Sequence, residues 1–137
     1  MSEDVTALGL VEVARRVRDG ELTSEAATRA SLAAAAREQR RLNCFIEIDA
    51  EGALAAAAAA DAARARGAVL GPLHGVPLAH KDMFDVAGQP VRYGSRVRGA
   101  HRPRTSATVM ARLEAAGAVR IGALNMAEFA LGATGNN

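Results

Sequence analysis

The order of periodic segments along the chain constrains its fold more than any other feature. Apolar residues recur at helical spacing before Asn43, whereas later segments include short apolar runs. The predicted helices are about 8–18, 23–41, 50–66 and 105–117, with a short helical turn at 125–131. The predicted strands are 45–49, 76–81 and 118–122. Helices that come first, followed by strands alternating with helices, predict an α/β fold in which helices cover a sheet.

The alanine-dominated stretch from Ala50 to Arg66 has two interpretations. It can be a low-complexity segment, or it can be a helix that packs through its small side chains. Alanine has the highest helix propensity, and Gly67 is a natural residue just past a helix end. Leu54 and the charges near the end give the stretch two different sides, so we predict a packed helix.

Composition favours a piece of a larger protein over a self-sufficient domain. Half of the 137 residues are hydrophobic, but many of these are alanine, and only 3% of all residues are aromatic. Alanine buries little apolar area, so a core built from it is thin for the length of the chain.

Charge and cysteine content bound the partners and the compartment. The net charge is +2, and the arginines are scattered over predicted helix faces without the interleaved aromatics that stack on bases, so we expect no direct nucleic-acid contact. The single cysteine excludes an internal disulfide and suits a reducing compartment. The acidic N-terminus is wrong for a signal peptide, and the longest apolar run is too short to span a bilayer. We therefore expect a cytoplasmic protein with no membrane partner.

Lys81 is the only lysine in the chain, and the other 16 basic residues are arginine. It follows an apolar run at 76–79 rather than lying in a charged stretch. A lysine can lose its proton when burial or a like charge lowers its pKa, whereas an arginine cannot. Lys81 is therefore a candidate general base or Schiff-base amine. The alternative is a remnant of codon bias whose ammonium group reaches solvent from a strand end.

The predicted strand 76–81 also determines what surrounds Lys81. Successive side chains of a strand point to opposite faces, so Lys81 shares a face with Ala79 and Pro77, and His80 lies on the other face. Asp82 then points away from Lys81 despite being adjacent. We expect Lys81 to have no neutralising neighbour in sequence, as a general base requires.

Two other kinds of site are excluded by spacing. The run from Gly75 to Lys81 lacks the second glycine of a phosphate-binding loop, and Asp82 stands where that loop needs Ser or Thr. The three histidines lack the spacing of metal ligands, so we predict no metal site, and we expect no cofactor. We interpret His80 as a core histidine with satisfied hydrogen bonds.

Four segments resemble the amidase signature family, and they occur in the family's order. The resemblance extends from about Leu8 to Asn137, essentially the whole chain. The segments are 71–82 (Gly-Pro-Leu-His-Gly-Val-Pro-Leu-Ala-His-Lys-Asp), 94–95 (Gly-Ser), 107–118 (with Ala-Thr-Val and Leu-Glu-Ala-Ala-Gly-Ala) and 124–130 (Leu-Asn-Met-Ala-Glu-Phe-Ala).

The resemblance implies a large mixed sheet between helices, of which residues 1–137 are the N-terminal portion. A helical region would cover about 1–67, and the start of the α/β core about 68–137. Lys81 would be the lysine of a Lys-Ser-Ser catalytic triad, and Ala130, Leu131 and Gly132 would contact the substrate. The family's two serines and its oxyanion glycines belong to a Gly- and Ser-rich motif that is absent here. The chain is therefore expected to be an amidase cut before its nucleophile, and inactive alone.

The implied activity is hydrolysis of a small carboxamide through a serine acyl-enzyme, in a protein that can form a homodimer. One alternative is the glutamine-amidase component (the A subunit) of a tRNA-dependent amidotransferase, although Ala123 and the final Ala-Thr-Gly-Asn-Asn favour a stand-alone amidase. Another is a non-catalytic remnant or binding module.

Overall fold

The computed structural model describes residues 4–99 and 101–132, which form a mixed α/β fold. The helices are α1 (Leu10–Asp19), α2 (Ser24–Leu42), α3 (Ala50–Ala65) and α4 (Thr108–Ala115). The strands are β1 (Phe45–Ile48), β2 (Pro77–Lys81) and β3 (Val119–Leu124). Short 3₁₀ turns occupy Val5–Ala7 and Glu128–Ala130. The predicted closing loop at 133–137 lies outside the described residues.

The three strands form one mixed sheet with β3 in the centre. Strand β1 runs antiparallel to β3, and β2 runs parallel to it on the other side. Leu124 of β3 pairs with Phe45 on one side and with Lys81 on the other. The predicted α/β class is confirmed, and the last residue of β2 lies at the same sheet end as the last residue of β3.

The ends of α2 were predictable because local chemistry determines them. The Thr23 hydroxyl oxygen accepts a hydrogen bond from the backbone N–H of Ala26 at 3.1 Å, as an N-cap does. Asn43 ends the helix in the left-handed region with φ of 47°, which asparagine tolerates better than most residues. Both ends agree with the positions expected from the sequence.

The predicted start of α4 was wrong. Neither Thr105 nor Ser106 caps the helix; the N-cap is Ala107, which has no side-chain capping bond. The Ser106 hydroxyl oxygen instead accepts a hydrogen bond from the backbone N–H of Ala87 at 3.0 Å. A contact with a residue 19 positions earlier therefore engages a hydroxyl that lies within the predicted start of the helix.

Helix α3 packs through alanine alone on its most buried face. Ala53, Ala57 and Ala60 are at most 9% exposed, and their spacing places them on one side of the helix. Ala53 and Ala57 form a hydrophobic core cluster together with Val119 and Ile121 of β3. The interpretation as a packed helix is confirmed, and small side chains let this helix lie close to the sheet. No helix in the described part of the chain combines the length and hydropathy needed to cross a membrane.

Asp61 and Ser24 fasten the N-terminus of α2 to the rest of the fold. The Asp61 carboxylate, on α3, accepts hydrogen bonds from the backbone N–H groups of Ser24 at 2.8 Å and Glu25 at 3.0 Å. The Ser24 hydroxyl donates to the carbonyl oxygen of Gly75 at 2.8 Å. Gly75 has φ of +71°, and an added Cβ would meet the Ser24 side chain at 2.8 Å. The segment leading into β2 is thereby fixed against α2.

Asp61→Ala is expected to lower the free energy of unfolding by about 1–3 kcal/mol, because two partly buried N–H groups lose their acceptor. Asp61→Asn keeps one acceptor oxygen and should lose less. Urea unfolding followed by circular dichroism measures both variants. Unfolding midpoints equal to that of the wild type would show that water replaces the carboxylate at no cost.

Candidate active site

Lys81 is the last residue of β2 and is partly buried at the end of the sheet. Its carbonyl oxygen accepts hydrogen bonds from the N–H groups of Met83 at 2.7 Å and Phe84 at 3.1 Å, so the chain turns directly after it. Within residues 4–99 and 101–132, Lys81 forms no ion pair with a carboxylate. Its catalytic role stays a prediction.

Asp82 is 1% exposed and faces a different part of the chain from Lys81. Its two carboxyl oxygens lie 3.2 and 3.3 Å from the backbone nitrogen of Arg92, whose N–H donates to them. Its backbone N–H donates to the carbonyl oxygen of Leu124 at 3.1 Å, and its own carbonyl oxygen accepts from the N–H of Tyr93 at 3.1 Å. Asp82 thus joins the end of β2, the end of β3 and the turn at 92–93.

The predicted helical turn at 125–131 is a 3₁₀ turn at Glu128–Ala130, with left-handed backbone inside it. Phe129 has φ of 48° and Ala130 has φ of 60°. The Phe129 N–H donates to the carbonyl oxygen of Tyr93 at 2.8 Å, and the Ser95 hydroxyl donates to Glu128 Oε1 at 2.5 Å. The segment is thus held by the loop at 93–95.

The three residues predicted to contact substrate, Ala130, Leu131 and Gly132, are all exposed. Leu131 is 88% exposed among the described residues. Their contact with a substrate remains a prediction.

A cavity of about 450 Å³ opens beside Asn125, the residue after the Lys81 partner Leu124. Two arginines and two glycines contribute to its walls, together with the small polar residues Ser95 and Asn125. The lining residues are Ile46, Arg92, Gly94, Ser95, Arg96, Gly99 and Asn125. A separate cleft of about 320 Å³ runs along Leu78 and Met110 and is lined by Asp49 and Arg120 among others.

His80 is 7% exposed, so its predicted core position is confirmed. Burial, and then the charge of Arg120, lower the pKa of the imidazole, which keeps the ring neutral near pH 7. Its Nδ1 has no hydrogen-bond partner among the described residues, so the interpretation as a satisfied histidine is wrong for this nitrogen. No three His, Cys, Asp or Glu side chains in the described ranges are grouped closely enough to hold a metal ion.

Sequence reasoning missed the connecting roles of Asp82, Tyr93 and Glu128. Their partners lie 10 to 42 positions away, which no local pattern reveals. The Gly94-Ser95 pair carries no local signal for this role beyond its place in the family motif. The one local signal for these roles is Asp82, whose carboxyl group follows directly after an apolar strand. A carboxyl group that is buried there needs hydrogen-bond donors from elsewhere in the chain.

Comparison with known proteins places this fold. The family model called Amidase matches residues 26–137. The chain is 43% identical over 134 residues to the A subunit of glutamyl-tRNA(Gln) amidotransferase from Streptomyces coelicolor, covering 98% of this chain and 27% of that protein.

Two solved structures superpose closely on the chain. A crystal structure of an amidase gives a TM-score of 0.86 at 38% identity, covering 95% of this chain and 30% of that one. The native peptide amidase from Stenotrophomonas maltophilia gives a TM-score of 0.81 at 36% identity. The match covers 90% of this chain and 26% of the peptide amidase. The chain thus spans 27% of the length of the curated relative and a similar share of the solved structures. Because the family model matches most of its residues, the chain belongs to the amidase family.

Proposed function

We propose that residues 1–137 are the N-terminal portion of a single amidase domain, with Lys81 as the general base of a Lys-Ser-Ser triad. The complete enzyme is this chain joined to a region that carries the family's two serines and its oxyanion glycines. The observation that carries the proposal is the placement of the only lysine at the end of β2, partly buried and without an ion-pair partner among the described residues.

In the proposed reaction the Lys81 Nζ accepts the proton of the bridging serine hydroxyl. That serine takes the proton of the nucleophilic serine, whose Oγ attacks the carbonyl carbon of the amide. The C–N bond then breaks, and the amine leaves with the proton returned from Lys81 through the bridging serine. Water repeats the attack on the acyl-enzyme, releases the acid and regenerates the free serine. This is nucleophilic catalysis assisted by a base, as in a Ser-His pair.

The substrate class of the proposal is a small carboxamide, held in part by Ala130, Leu131 and Gly132. A homodimer and a cytoplasmic location belong to the same proposal, which requires no cofactor. A second candidate is the glutamine-amidase component of a tRNA-dependent amidotransferase, favoured by the name of the relative at 43% identity. Assay of the complete enzyme with free primary amides, with and without the other components of such a complex, separates the two candidates.

The isolated chain is expected to show no amidase turnover and no activated serine. A fluorophosphonate probe should label the complete enzyme on one serine outside residues 1–137 and should not label this chain at any specific position. The reason is that activation needs the two serines and the oxyanion donors together with Lys81. Peptide mapping by mass spectrometry locates the label. Stoichiometric labelling of one serine within residues 1–137 would contradict the proposal.

A further inference from the structure

The Asp82 carboxyl group is buried in the described structure, and its hydrogen bonds go to one backbone group. Burying a carboxyl group costs free energy unless donors compensate for the lost water. The backbone N–H of Arg92 donates to both carboxyl oxygens of Asp82, at N···O distances of 3.2 and 3.3 Å. The backbone N–H of the next residue, Tyr93, donates to the backbone carbonyl oxygen of Asp82 at 3.1 Å. Side chain and backbone of one residue therefore fasten the same turn.

That turn is connected in the other direction to the segment at 128–130. The carbonyl oxygen of Tyr93 accepts the N–H of Phe129 at 2.8 Å, and the two rings lie 6.0 Å apart between centroids. The Arg98 guanidinium lies 4.4 Å from the centre of the Tyr93 ring on its face. Asp82 and Phe129 are thus connected through a single residue, Tyr93.

Three residues along this connection have left-handed backbone without being glycine. Tyr93, Phe129 and Ala130 have φ of 57°, 48° and 60°. Left-handed backbone is unfavourable for residues that carry a Cβ. Strained positions of this kind persist only where the surroundings hold them, and they concentrate at functional sites. The contacts that hold these three residues therefore determine where the exposed segment at 130–132 lies.

We propose that Asp82 is a positioning residue: by fixing the turn at 92–93, it holds the segment at 128–132 in place relative to Lys81, the residue before it. The inference rests on the proposed function, which assigns Lys81 as the base and Ala130, Leu131 and Gly132 to substrate binding. Asp82 then contributes to the separation of the base and the substrate segment, alongside the pairing of Lys81 with Leu124 and the Ser95–Glu128 hydrogen bond, although more than 40 positions of sequence lie between base and segment.

The test compares Asp82→Ala, Asp82→Asn and the control Asp61→Ala in the complete enzyme. Asp61 is the matched control because its carboxylate also accepts backbone N–H groups, but at the start of α2. Two readouts are needed: KM for a primary amide, and the rate of fluorophosphonate labelling, which reports serine activation without the substrate segment. Lys81→Ala is measured in parallel.

Asp82→Ala should raise KM by about tenfold or more, because small displacements of substrate-binding groups carry large penalties, while the labelling rate stays within about threefold of wild type. Asp82→Asn keeps an oxygen that accepts the Arg92 N–H and should stay within about threefold in KM. Asp61→Ala should lower the melting temperature and leave KM unchanged.

An unchanged KM in folded Asp82→Ala, or an equal rise of KM in Asp82→Ala and Asp82→Asn, overturns the inference. If Asp82→Ala is insoluble, Asp82→Glu replaces it; its carboxyl group is displaced by one methylene, so KM should rise, and a wild-type KM overturns the inference equally. Labelling of Lys81→Ala at the wild-type rate contradicts the proposed function, because the serine would then be activated without Lys81. The positioning role of Asp82 is still decided by the KM values of its own variants.

Discussion

Lys81→Ala and Lys81→Arg are both expected to lower the turnover of the complete enzyme by about 10²- to 10⁴-fold, the range for loss of a general base. Alanine removes the amine. Arginine keeps the charge but cannot release its proton, and its planar fork does not match a place shaped for an ammonium group. The measurement is kcat/KM for each variant, with circular dichroism to show that the variants are folded.

The two variants distinguish a Lys81 that transfers a proton from a Lys81 that only supplies a positive charge. If Lys81 only attracts a negative group, Arg should retain much of the activity and Ala should not. A folded Lys81→Arg enzyme within about threefold of wild type in kcat/KM would exclude proton transfer by this residue.

Gly122→Val is expected to prevent formation of the sheet or to destabilise the protein by about 3 kcal/mol or more, the upper range for overpacked sites. Gly122 lies in the central strand β3 and pairs with Ile48 on one side and Ala79 on the other. A Cβ at this position would collide with the carbonyl oxygen of Glu47 and lie 3.1 Å from the Cα of Ile48. Both obstacles are backbone atoms of β1, so neither can rotate away.

Gly9→Ala is the matched control for this substitution. Gly9 has φ of −71°, and an added Cβ meets nothing within 4 Å. Its effect should stay within about 1 kcal/mol, the scale of an N-cap change. Soluble yield and urea unfolding of both variants provide the comparison. If the Gly122→Val protein were as stable as Gly9→Ala, β1 could separate from β3 without lowering the free energy of unfolding, which would contradict the prediction.

What the sequence could predict depended on the range of the interaction concerned. The ends of α2 and the strand that carries Lys81 follow from residues within a few positions, and both were predicted. The start of α4 was not, because Ala87 engages the Ser106 hydroxyl. The backbone at Phe129 could not be predicted either, since nothing local favours φ of 48° there and Tyr93 lies 36 positions earlier.

The site divides in the same way. Lys81 was singled out because it is the only lysine and because of its neighbours in sequence, and its role stays a prediction. Its environment could not be predicted, because Asp82 and the turn at 92–93 meet only after the chain returns from a loop. The mixed character of the sheet came from family resemblance, as alternation alone does not order strands.

The central position of β3 also affects how the protein is made. Strands β1 and β2 have no partner in the described sheet except β3, which is the last of the three to be synthesised. The ribosome adds about 5–20 residues per second, so Leu124 follows Lys81 after roughly 2–9 s. During that interval the apolar side chains of Phe45–Ile48 and the backbone of β2 have no sheet to join. Until β3 leaves the ribosome, the nascent chain therefore presents β1 and β2 without their partner to chaperones and to aggregation.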